Sequence, residues 1–170
     1  LRMSAEMVRD QTLQLSGLLA ATIGGPPVLP YQPSGLWQEK SGQTYTPSKG
    51  DGLYRRSLYT FWKRTSPPPT MMIFDASKRD VCVTFRRRTS NTMQSLVLMN
   101  DPQFVEDARM LARRVMLDDR KEPTGTIGLA FRCLTGRRPS APELEILQQL
   151  HQQLLLEFQE DPQVATAWLQ

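Results

Sequence analysis

Apolar residues recur at helical spacing along most of this chain, and proline or glycine marks the breaks between the runs. Ala5, Val8, Thr12, Leu15 and Leu19 predict a first helix from Ser4 to Leu19, with Ser4 as N-cap and Glu6 in the first turn. Leu53, Leu58, Phe61 and Trp62 predict a second from Gly52 to Arg64, ended by Pro67, Pro68 and Pro69. A third covers Thr92 to Met99 after the cap Asn91. The fourth starts at Asp101-Pro102 and buries Phe104, Ala108, Leu111, Ala112 and Val115, with Arg113 and Arg114 at its negative end. A fifth runs from Thr124 to Leu134 and stops at Gly136. The sixth opens on a Ser140-Glu143 capping box, and its stripe is Leu144, Leu147, Leu150 or His151, Leu154 and Phe158. Asp161-Pro162 starts a short last helix.

Two stretches break this pattern. Gly24 to Gly52 is rich in proline and glycine and has no period. It predicts a long ordered loop wrapped over the helices and anchored by Val28, Leu29, Tyr31, Leu36, Trp37 and Tyr45; a binding loop is the alternative. Met71–Phe74 and Val81–Phe85 are short apolar runs around an Asp75–Lys78 turn, which suggests one small β-hairpin. The expected fold is mostly α: a single irregular helical domain of about six helices.

Composition refines this picture. With 170 residues, 39% of them hydrophobic, the chain is long enough for one real core. Its charge is unevenly placed. Arg55 to Arg114 holds 12 Lys/Arg against 5 Asp/Glu, a local +7, whereas Pro139 to the end holds five acids and neither Lys nor Arg. Such asymmetry suits an anionic partner, or an acidic helix packed beside a basic middle. No run approaches the ~18 apolar residues of a membrane span. Both ends read as cuts, so a piece excised from a larger polypeptide is expected.

Little in the chain points to a reaction, and its catalytic residues are unknown at this level. His151 is the only histidine and has no companions at metal-ligand spacing, so no metal site is expected. Cys82 and Cys133 are the only cysteines and read as two buried thiols, with a disulfide as the alternative. Arg55-Arg56, Lys78-Arg79 and Arg86-Arg87-Arg88 lie near Tyr59, Trp62 and other aromatics. Basic residues beside stacking platforms bind polyanions, because arginine grips oxyanions in a bidentate fork. The competing reading is that the aromatics are core and the arginines are paired. Candidate binding residues are therefore Tyr59, Trp62, Asp75, Arg79, Arg86, Arg88, Asn100 and Asp101.

Several phrases resemble one family. They are Arg56-Ser57-Leu58-Tyr59-Thr60-Phe61-Trp62-Lys63-Arg64, Phe74-Asp75-Ala76 with Arg79, Arg88-Thr89 with Asn91-Thr92, and Leu98-Met99-Asn100-Asp101-Pro102. The opening Ala5-Glu6-Met7-Val8-Arg9-Asp10 and the later Arg137-to-Glu143 pattern agree. The chain resembles the bacterial domain of unknown function 1553. That resemblance implies a planctomycete-type domain closing a long extracytoplasmic protein, periplasmic or at the cell surface, often with a cytochrome c-like haem domain upstream. It implies no cofactor in this domain and no assigned activity. It also implies a further C-terminal helix, without which an apolar groove would stay open. The expected role is a non-catalytic binding or assembly module whose partners are upstream domains or an anionic polysaccharide. The alternative is part of a redox or polysaccharide-processing enzyme whose site is completed upstream. Nucleic acid is the least favoured partner.

Overall fold

The computed structural model describes residues 2–118 and 124–169. The described residues are mostly α-helical: α1 (Ala5–Ser16), α2 (Leu36–Ser41), α3 (Pro69–Ile73), α4 (Thr92–Asn100), α5 (Pro102–Met116), α6 (Gly125–Thr135), α7 (Ala141–Glu160) and α8 (Pro162–Leu169). The chain divides into two compact units, residues 1–114 and 115–170, and α5 carries the backbone from one to the other.

In the first unit, α1 starts at Ser4, whose hydroxyl accepts from the Met7 amide, and ends at Gly17 in the left-handed region. Its most deeply buried face is Ala5, Arg9, Leu13 and Ser16, rotated from the predicted stripe; Val8, Thr12 and Leu15 are only half-buried. A charged residue therefore sits at the centre of the inward face. Ala5, Met71 and Ala76 form a core cluster with Trp62 and Phe74 against it, and Phe74 meets Phe104 edge-on at 6.2 Å.

The predicted helix over Gly52–Arg64 does not form. The segment makes two 3-10 turns, Gly50–Tyr54 and Ser57–Tyr59. The reason lies in its backbone partners. Arg9 takes the carbonyls of Leu53 and Arg55 at 2.8 and 2.7 Å, and Val28 donates to the Tyr59 carbonyl and accepts from the Phe61 amide, both at 2.8 Å. Tertiary bonds claim groups that an α-helical ladder would need.

The hairpin is also absent. Met71–Ile73 lies in α3, which begins at Pro69, and Val81–Phe85 is irregular, bent at Val81 and Thr84, with no partner strand; the described residues hold isolated bridges but no sheet. The long Gly24–Gly52 connection is the anchored wrap the sequence predicts, with α2 inside it. The Ser48 amide donates to Leu29 at 2.8 Å, the Tyr45 hydroxyl to Pro30, and Trp37 packs edge-on against Tyr45 at 4.9 Å.

On α5 the buried row is Gln103, Phe104, Asp107, Leu111 and Val115, while Ala108 and Ala112 face outward. Two polar residues replace the two predicted alanines because they face the polar side of α1. In the second unit, α6 packs on α7 and α7 on α8. The bonds of Glu143 to the Ser140 amide and hydroxyl, both 2.8 Å, close the predicted capping box. The predicted stripe of α7 stays largely uncovered: Leu144, Leu147 and Phe158 are half-buried, and Leu150, His151 and Leu154 are exposed.

Candidate functional site

Between α3 and α4 the chain forms a strap, residues 75–91, held to the first unit at several points. Asp75 ends α3 in the left-handed region (φ 61°), where a short polar side chain is tolerated. Its carboxylate accepts from the Thr89 amide at 2.6 Å and from the Thr89 hydroxyl at 2.8 Å, closing the base of the strap. Arg79 also has φ 61°, and its guanidinium lies 4.7 Å from the Trp62 ring. The Trp62 indole donates to the Lys78 carbonyl at 3.0 Å, so one face of this ring meets the core and its edge holds the strap. Arg86 pairs with Glu6 at 2.8 Å, and Arg88 donates to the Arg2 carbonyl at 2.7 Å. Burial pushes Glu6 up, but the Arg86 bond and charge prevail and hold it below its ordinary value.

Between these pins the strap is open. Val81, Val83 and Phe85 are 73, 53 and 79% exposed. The stretch from Val81 to Arg88 pairs with no other backbone among the described residues. The side chains of Lys78 and Arg87 have no polar partner among the described residues. The concave side of residues 83–89 encloses about 900 Å³ open to solvent. Exposed, basic and apolar, it can lie along a polymer and offer guanidinium forks beside an exposed ring.

Five of the predicted residues, Trp62, Asp75, Arg79, Arg86 and Arg88, thus belong to this strap and its fastenings. Three others are engaged differently. The Tyr59 hydroxyl accepts from the Gly24 amide at 2.9 Å, and its ring lies under Arg55 at 4.0 Å. Arg55 in turn gathers the carbonyls of Thr22, Gly24 and Pro26, which shapes the start of the long loop. Asn100 donates to Leu96 within α4 at 2.8 Å. Asp101 accepts from the Thr70 hydroxyl at 2.7 Å and the Gln103 amide at 3.0 Å, tying α3 to the start of α5. Lys78, Phe85 and Arg87 stand in the basic and aromatic clusters read from sequence but not among the candidate binding residues drawn from them. Their signal was present in the alternation of Val81, Val83 and Phe85 running into arginines, which also fits a hairpin.

A second polar centre, also not anticipated, is internal. Arg9 is 4% exposed and Asp107 3%. Gln103 stands between them, accepting from Arg9 at 3.4 Å and donating to Asp107 at 3.3 Å. Asp107 also accepts from Thr12 at 2.6 Å and Ser16 at 3.3 Å. Burial outweighs these bonds and the nearby Arg9 charge, and raises the Asp107 carboxyl above its ordinary value; burial likewise lowers Arg9. The adjoining cleft, lined by Arg9, Met71, Phe74, Asp101 and Phe104, measures about 20 Å³. That is room for one water and no larger ligand, so this centre holds the fold.

Among the described residues no group of three or more His, Cys, Asp or Glu is placed to hold a metal ion. Cys82 and Cys133 are both unbonded; Cys82 is exposed and Cys133 half-buried, so the expected burial of both thiols is corrected. No described helix is long and apolar enough to cross a membrane. No curated protein and no solved structure matches the chain. The model of one family aligns with residues 1–151, a span that takes in the opening helix, the strap and the Asp101-Pro102 corner. The chain belongs to the PSD1 family, proteins of unknown function (DUF1553).

Proposed function

We propose that this chain is a non-catalytic binding module whose basic strap takes an anionic polysaccharide. The observation that carries the reading is the pairing of unpartnered cations, Lys78 and Arg87, with the exposed Phe85 on a segment already fastened by Asp75, Arg79 and Arg86. Pre-fastening lowers the ordering cost of binding. Carboxylate or sulfate groups would meet Arg87, Arg88 and Lys78, and a sugar face would lie on Phe85. The module would work within a larger extracytoplasmic protein, beside upstream domains that include a haem domain. The enzyme alternative draws less support. Asp75 and Asp101, the candidate acids, are both taken up by hydroxyls and amides that fasten the chain.

The test is binding to carboxylated, sulfated and neutral polysaccharides at two salt concentrations, with single-stranded DNA as a second polyanion. Binding to the charged glycans should weaken as salt rises. Arg87→Glu should weaken it at least about tenfold, the loss of one charge-assisted contact of roughly 1.5–3 kcal/mol. Equal binding to the neutral polymers, or an unchanged affinity in Arg87→Glu, would remove the proposal. Tighter binding to DNA would replace the ligand class.

A further inference from the structure

The strap has a second hollow beside its concave side. It measures about 280 Å³ and is lined from both limbs, by residues 75–81 before Cys82 and by Val83, Phe85, Arg86 and Arg87 after it. Pockets for drug-sized molecules begin at roughly 300 Å³, so this is room for one sugar ring with its substituents and not for a chain. Lys78 lines it from the first limb and Arg87 from the second. Neither side chain has an ion pair, a hydrogen bond or a ring partner among the described residues, whereas Arg79 lies over Trp62 and Arg86 is paired with Glu6. The backbone under each free cation is fixed. The Lys78 carbonyl is held by the Trp62 indole, and Arg87 stands between Arg86 and Arg88, both fastened. Of the two carboxylates in the lining, Asp75 is turned to the Thr89 amide and hydroxyl, and Asp80 is exposed. Val81, Val83 and Phe85 supply the apolar part of the wall.

Resting on the polysaccharide reading, we infer that this hollow is a subsite for one sugar unit carrying two anionic groups. One group meets Lys78 and the other meets Arg87, each through a charge-assisted contact. A singly charged unit would leave one of the two cations unmet. A bare anion would leave the apolar wall in water, whereas the C–H face of a sugar ring covers it. Because both limbs are already fastened, seating such a unit costs little ordering. The polymer then runs out over the concave side of residues 83–89, which shares Phe85, Arg86 and Arg87 with the hollow. Asp80 opposes an anion in this space, so its removal should act in the opposite direction to the loss of either cation.

The experiment is titration calorimetry of the full 170-residue chain with galactose, a galactose monosulfate, a galactose disulfate and inorganic sulfate, beside a sulfated polysaccharide. The disulfate should bind at least about tenfold tighter than the monosulfate, the gain of one further charge-assisted contact. Lys78→Gln and Arg87→Gln should each bring the disulfate down to the level of the monosulfate, and Asp80→Asn should tighten it. All three positions are exposed, so the variants should keep the wild-type circular dichroism. A disulfate that binds no tighter than the monosulfate, while the polysaccharide still binds, would overturn the subsite and leave the polysaccharide reading standing. Inorganic sulfate binding as tightly as the disulfate would also overturn it, since the site would then take any anion. Failure of the polysaccharide and of every sugar to bind would remove both.

Discussion

Arg9 is the residue on which the first unit turns. Its guanidinium reaches the carbonyls of Leu53 and Arg55, and a glutamine links it to the buried Asp107. The cost of burying such a charge is met only while those partners are in place. Arg9→Met should therefore destabilise the first unit by about 3–5 kcal/mol, read from urea unfolding followed by tryptophan fluorescence. Arg9→Lys should recover only part of this, since an ammonium lacks the fork that serves two carbonyls at once. A loss below about 1 kcal/mol for Arg9→Met would mean the polar centre is tolerated rather than required. From sequence, Arg9 looks like an ordinary surface charge. Periodicity assigns it to the rim of the helix, and only the carbonyls arriving from residues 53–55 turn that rim inward.

At the scale of elements, helix ends were legible and helix faces were less so. Ser4, Asn91 and Ser140 each stand at the helix start predicted for them, because capping depends on residues within one turn. Helices were misjudged where distant backbone intervened, as at Gly52–Arg64. The cap of α7 gives a direct test. Bonds from Arg137, then from Ser140, hold the Glu143 carboxyl far below its ordinary 4.5. A lowered carboxyl stabilises the fold fully above its unfolded value, and the contribution is lost as pH falls through the folded one. The helical signal of α7 should thus stay flat above about pH 5 and decline on further acidification. Glu143→Gln should remove that acid-dependent part, as followed by circular dichroism. Ser140→Ala should cost about 1 kcal/mol. An acid profile identical in Glu143→Gln and wild type would show that the box is not what acid breaks.

For the whole molecule, the division into two units has a consequence for folding. The core cluster of Ala5, Met71 and Ala76, the Arg9–Gln103–Asp107 centre and the fastenings of the strap all lie within residues 1–114. Residues 1–118 alone should fold and melt in a single cooperative transition that retains near-ultraviolet circular dichroism. A polypeptide that keeps helix but loses the near-ultraviolet signal would show that the first unit needs the second for its packing.

The chain's own letters settled its class, most of its helix boundaries, the wrapped proline-glycine connection and its family. The family rests on the match of whole phrases to its model; the others follow from local chemistry: the period of apolar residues, the hydroxyls and carboxylates at helix ends, and the rigid turns of proline. Tertiary structure decided the rest. It set which side of α1 and α5 is buried, broke the second helix, and left Val81–Phe85 as an unpaired strap instead of a strand. It also separated arginines of similar appearance, engaging Arg86 with Glu6 while leaving Arg87 exposed. Those outcomes rest on partners tens of residues away in the chain, and a pattern read over one or two helical turns carries no term for them.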